Sequence, residues 1–156
     1  MKQSEPAKPF YKAMDGGKTI EHEGERTVAD RLDFARFGTA FARLGKSKFR
    51  SRFHLTDADR RYIAEKGLAT IRRHCEDFIR TRLAPANPPN DGRQTPMRGH
   101  PVFIAQHATA TCCRGCLERW WKVPRGIPID PHRQQRMADF LMAWIEQEYT
   151  TPSQKK

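Results

Sequence analysis

The sequence predicts a small all-α protein of four to five helices, with a long proline-rich loop and a zinc-knuckle break in its cysteine-rich segment. Three observations carry that reading. Apolar residues recur at 3–4 spacing in several segments, and no segment shows sustained two-residue alternation bounded by hairpin turns. At 156 residues the chain falls within the ~100–200 of one ordinary domain. No internal repeat is present.

The elements follow in order. The first thirty residues hold Pro6, Pro9, Gly16, Gly17, Gly24 and the run EHEGER, too little apolar surface to offset the entropy of ordering. Leu32, Phe34, Ala35, Phe37, Phe41 and Leu44 then recur at roughly helical spacing around Gly38, which suggests a marginal helix or docking arm. Residues 1–47 are therefore expected to form a mostly flexible arm, 48–149 a single helical domain and 150–156 a disordered tail. Within the domain, Thr56 and Asp59 have the spacing of a capping box, so a helix should run from about Asp57 to Lys66 and end at Gly67. Leu68, Ile71, Cys75, Phe78, Ile79 and Leu83 outline a second amphipathic helix, with Arg72, Arg73, Glu76 and Arg80 on its wet face. The run APANPPNDGRQTP from Ala84 to Pro96 is turn chemistry and predicts a long, stiff, exposed loop. Pro101 suits a first helical turn, and most of the segment to Trp121 is expected to be helix. A last helix should start near Pro131 and bury Met137, Phe140, Leu141, Trp144 and Ile145.

Charge is concentrated in the middle of the chain. The formal net charge is +11, and residues 48–126 hold sixteen of the basic and seven of the acidic side chains. Acidic surfaces, nucleic acid first among them, become the expected partner class. Arg50, Arg52, Arg98, Arg114, Arg119, Lys122 and Arg125 are the candidate nucleic-acid contacts, because Lys48, Arg50 and Arg52 alternate with Phe49 and Phe53, and Arg114, Arg119, Lys122 and Arg125 surround Trp120 and Trp121. Arginine forks engage phosphates, and aromatic faces stack on bases. No apolar run approaches the ~18 residues of a membrane helix, and the N-terminus has no signal-peptide core, so a cytoplasmic protein is expected.

Reactive side chains gather between Gly99 and Trp121: His100, His107, Cys112, Cys113 and Cys116. Zn²⁺ prefers four tetrahedral nitrogen and sulfur ligands, and Cys113-Arg-Gly-Cys116 has the two-residue gap of a zinc knuckle. In one unbroken helix His107 would stand about 120° away from Cys113. A shared ion thus requires a break, expected at Arg114-Gly115, or a ligand from elsewhere such as His100, His74 or Cys75. The plain alternative is that Ala105, Thr109, Cys112 and Cys116 form a small-residue packing face. A further alternative is a reactive thiol, with Cys112 or Cys113 paired to His107. The polar group of Gln106, His107, Thr109, Thr111 and Arg114 must be satisfied by something, whether a catalytic site or a structural network.

At FRSRFHLTDADRRYI, RLAPANPPNDG and QTPMRGHPVFIAQHATATCCRGCLERWW the chain resembles a family of small bacterial and phage proteins, a domain of unknown function. The resemblance spans about Phe49 to Ile145 and rests on PMRGHP at Pro96–Pro101 and CCRGC at Cys112–Cys116. Members usually show Trp-His where this chain has Trp120-Trp121. If that His were a ligand, His100 or His107 would have to serve here. The resemblance implies a discrete domain and a site, but no reaction.

Together these features read as a zinc-stabilised, nucleic-acid-associated binding module, with the ion held by His107, Cys113 and Cys116 plus His100 or Cys112. The alternatives are a metal-dependent hydrolase or nuclease, with Arg98 or Arg114 stabilising phosphate charge, and a metal-free protein that docks an acidic partner.

Overall fold

The computed structural model describes residues 37–152, which contain helices, turns and irregular chain and no strand. Most of the expected arm, residues 1–36, and the last four residues of the expected tail lie outside the described residues. The described residues from 41 onward belong to one compact unit, which holds both the core and the candidate site.

Residues 37–45 are helical (α1), and a 3₁₀ turn follows at Arg50–Arg52. Next come α2 (Asp57–Lys66) and α3 (Leu68–Phe78), the latter running into a π turn at Ile79–Leu83. After a long loop stand α4 (Pro101–Ala108), α5 (Arg114–Trp121) and the twenty-residue α6 (Pro131–Thr150). Among the described residues no helix is long and apolar enough to cross a membrane.

Local chemistry explains most boundaries. Thr56 Oγ1 accepts from the Asp59 amide at 3.0 Å while Asp59 Oδ2 accepts from the Thr56 amide at 2.9 Å, so the capping box starts α2 at the predicted residue. Gly67 ends it at φ +87°, a backbone state that L side chains adopt only with strain. Asp130 Oδ1 accepts from the Arg133 amide at 2.7 Å and starts α6.

The core lies where α3, α4 and α6 pack on one another, with α2 against α3 and α4. All eight residues of α4 are buried, the polar Gln106 and His107 included. Ile71, Cys75, Ile79 and Leu83 meet Val102, Ala105, Ala138, Leu141 and Ile145 in one cluster. Each fully buried Ile or Leu contributes about 1.5–3 kcal/mol. The last helix buries Met137, Leu141 and Ile145, with Phe140 and Trp144 half-buried, as its spacing predicts.

One expectation needs correction. The break in the cysteine-rich segment falls between Ala108 and Arg114, ahead of the Cys113–Cys116 pair and not inside it. Thr109 Oγ1 takes the Ala105 carbonyl, the Thr111 amide takes the Gln106 carbonyl, and Ala110 turns to φ +60°. Side-chain hydroxyls that claim backbone carbonyls compete with helix continuation. The proline-rich loop is exposed over most of its length, as its turn chemistry predicts, but it is anchored at points along it. Ala84, Pro88 and Thr95 are buried, and Asp91 accepts from the Arg114 amide and from Arg125 Nη2. These bonds tie the loop to the start of α5, where a carboxylate complements the helix dipole.

Candidate metal centre

The break before α5 gathers three thiols. Cys113 is extended at φ −159° and caps α5, its Sγ accepting from the Cys116 amide at 3.4 Å. Cys112 precedes it in the turn, and Cys116 stands in the first turn of the helix. Their three Sγ atoms lie within 4.8 Å of one another, an arrangement that can hold a metal ion. Cys112 and Cys116 are buried and Cys113 is half-buried. The fourth cysteine, Cys75, sits in the apolar core of α3, where burial pushes its thiol pKa up.

Arg50 closes the inner side of the cluster. Its Nη1 donates to Cys112 Sγ at 3.6 Å and to the His107 carbonyl at 2.7 Å, and its Nη2 donates to Cys116 Sγ at 3.1 Å. Burial works against the guanidinium charge, but the hydrogen bonds and charge of the two cysteines more than offset it and raise its pKa. Cys112 Sγ donates to Cys116 Sγ at 3.7 Å. Hydrogen bonding with Cys112 and Cys113, then Arg50, pulls the Cys116 thiol pKa down, and bonding with Cys113 and Cys116, then burial, pushes Cys112 up. Three thiolates around Zn²⁺ would carry one net negative charge, which the Arg50 guanidinium balances, and buried charges need such pairing.

The two imidazoles are placed elsewhere. His107 Nε2 lies 3.2 Å from the carbonyls of both Thr95 and Pro96, and its ring stacks on Phe53. His100 caps α4 by accepting from the Val102 amide through Nδ1, and its Nε2 meets His74 Nδ1 at 3.0 Å. Tyr62, Phe78 and Phe103 surround it. Burial, then His74 and Arg82, hold the His100 pKa down at about 4. Neither ring belongs to the close ligand group, which among the described residues consists of Cys112, Cys113 and Cys116.

A family model described as a domain of unknown function, DUF4186, matches residues 38–146. The chain belongs to the DUF4186 family. No solved structure matches the chain. The match covers α1 through most of α6, so the thiol cluster and the residues that build it all lie inside the DUF4186 domain.

Within this DUF4186 domain the polar group next to the thiols is satisfied by the fold itself except at Arg114 Nε, which is buried without a hydrogen-bond partner. Gln106 Nε2 donates to the Thr111 carbonyl, and the Thr109 and Thr111 hydroxyls pair at 3.0 Å. Arg114 is 1% exposed and donates to four carbonyls: Leu83 at 3.2 Å and Pro85, Pro124 and Ile127 at 2.7 Å each. It joins the loop, the π turn and the segment after α5.

That geometry divides the expected basic set. Arg50, at 7% exposure, and Arg114 are turned inward and committed to sulfur and carbonyl acceptors. Arg52, Arg98, Arg119, Lys122 and Arg125 remain exposed. Arg125 pairs with Asp91 at 3.0 Å, and Arg52 lies over the exposed ring of Phe49. The tryptophans are engaged by the fold: Arg43 lies over Trp120 at 4.7 Å, and Trp121 Nε1 donates to the Thr109 carbonyl. Sequence reasoning missed the sulfur-directed role of Arg50, because a partner 66 residues away leaves no local signal. It also missed Asp91 as a partner of α5, although Asn90-Asp91-Gly92 offered an acceptor suited to a helix start.

Proposed function

We propose that this DUF4186 protein is a zinc-stabilised binding module for nucleic acid, in which Cys112, Cys113 and Cys116 hold the ion and the exposed basic face of α5 meets phosphates. The observation that carries the metal reading is the convergence of three sulfurs within 4.8 Å, with a guanidinium on two of them. Thiolates are the soft ligands that zinc accepts most readily in structural sites. The nucleic-acid reading is supported by Arg119 and Lys122, which are exposed on and just beyond the helix that Cys113 caps, and by the excess charge of residues 48–126. An ion that fixes the start of α5 also fixes the side chains on its outer face.

Binding of single- and double-stranded DNA and RNA to the full chain, measured by fluorescence anisotropy across a salt series, tests the second half. The log of the affinity should fall linearly with the log of salt concentration, and Arg119→Glu with Lys122→Glu should weaken binding to all sequences alike. Absence of binding at low salt would refute it. Cobalt titration of metal-free protein tests the first half, through the thiolate-to-metal absorption that a three-sulfur site gives and that Cys116→Ala should abolish.

One observation favours a second reading. Three close protein ligands is the count of a catalytic zinc site, where water takes the fourth position. That hydrolase reading requires zinc-dependent turnover of a phosphodiester or ester, and its absence with loaded protein removes it.

A further inference from the structure

The thiols differ in what they touch. Cys113 Sγ is engaged by the Cys116 amide as the cap of α5. All three sulfurs lie within 4.8 Å of one another and Cys113 interacts with both of the others, but the direct sulfur-to-sulfur contact joins Cys112 and Cys116 at 3.7 Å. A single guanidinium, that of Arg50, donates to both and is itself anchored on the His107 carbonyl. Cys112 and Cys113 are sequence neighbours, a pairing that disulfide geometry disfavours. The Cys-x-x-Cys spacing would nominate Cys113 with Cys116, whereas the contacts nominate Cys112 with Cys116.

We propose that this cluster is a peroxide-responsive site, in which hydrogen peroxide links Cys112 to Cys116 as a disulfide and thereby expels the bound metal ion. This rests on the metal reading above only for the expulsion; the pairing stands on the sulfur contacts. The Cys116 sulfur, to which Arg50 Nη2 donates at 3.1 Å, attacks one peroxide oxygen. The O–O bond breaks, Cys116 becomes a sulfenic acid, and the other oxygen leaves as water with a proton. The Cys112 sulfur then attacks the Cys116 sulfur, the S–O bond breaks as the S–S bond forms, and the hydroxyl leaves as a second water, with the Cys112 thiol proton in the metal-free form or a solvent proton where the sulfurs are metal-bound thiolates. The two sulfurs lose two electrons, and one peroxide takes these up with two protons, from the thiols or from solvent, to give two waters. A disulfide sulfur is no longer a thiolate ligand, so two of the three ligands are withdrawn and the ion leaves. Cys75, enclosed in the core, takes no part.

The test uses the full chain in zinc-loaded and metal-free forms, treated with hydrogen peroxide, alkylated in denaturant and mapped without reduction by fragmentation mass spectrometry. The expected result is a Cys112–Cys116 link in both forms, with Cys75 and Cys113 alkylated and one zinc released per link formed. Cys113→Ser should still form the link and Cys112→Ser should not; mapping of the unsubstituted chain gives the same answer if either variant fails to fold. A link from Cys113 that persists in Cys112→Ser, or sulfinic acids with no link, would overturn the proposal. The two readings fail separately. A chain that binds no zinc before oxidation yet forms the Cys112–Cys116 link contradicts the metal reading and upholds the pairing. A chain that binds zinc and forms no such link does the reverse.

Discussion

Arg50 and Arg114 both come from the most basic stretch of the sequence, and both are spent inside the fold. Arg114 holds four carbonyls, one at the end of the π turn and three in irregular chain. Arg114→Met should strand those acceptors and lower unfolding free energy by on the order of 3 kcal/mol, measured by denaturant titration. Arg50→Met should leave most of the core intact but remove the donor from two sulfurs. Zinc affinity should then fall about 10–100-fold by competition with a chromogenic chelator, the usual effect of losing a partner that orients ligands. His100 makes a different prediction. Its folded pKa of about 4 lies below the ordinary 6.5, so between those values the unfolded chain binds a proton that the folded chain does not. Stability is then full above about pH 6.5 and declines as pH falls toward 4. His74 and His107 are depressed in the same direction, each chiefly by burial. His100→Asn keeps a cap for α4 and should make that decline shallower in unfolding curves taken across the same pH range. None of these roles was legible in composition, because a charged residue reads as surface until its partners are seen.

Elements with local signals were legible and those set by distant bonds were not. The capping box at Thr56 and Asp59 and the apolar stripe of α6 each depend on residues within a few positions, so pattern and structure agree. Thr56→Ala should cost about 1 kcal/mol by loss of the Asp59 amide's acceptor, with the loss read as a lower denaturation midpoint at unchanged slope. The cysteine-rich segment behaves otherwise. Its helical periodicity continues across Thr109–Cys113, but hydroxyl-to-carbonyl bonds and the Ala110 turn end α4 early. That early end frees Cys113 to cap α5 and brings Cys112 beside Cys116. The thiols themselves were evident from their spacing. The offset of His107 was signalled by its helical angle from Cys113, but the separation of His100 was not, because that imidazole is fixed by α3, whose position no local pattern encodes.

Across the whole molecule the same five-residue stretch, Cys112 to Cys116, links the core to the surface. Arg114 ties it to the loop and the π turn, Arg50 ties its sulfurs to α4, and α5 carries its orientation outward to Arg119 and Lys122. If an ion holds the three sulfurs, the stability of this corner and the placing of the basic face depend on it together. Removing the ion should lower the thermal midpoint and weaken polyanion binding in parallel. The most direct test is the metal content of tag-free protein purified without chelator, measured by elemental mass spectrometry beside Cys113→Ala and Cys116→Ala. The account predicts about one zinc per chain in the unsubstituted protein, the ratio a single tetrahedral site gives, and loss of it in both variants. A chain that carries no zinc, even after refolding with zinc supplied, would contradict it and leave the three cysteines as packing for the start of α5.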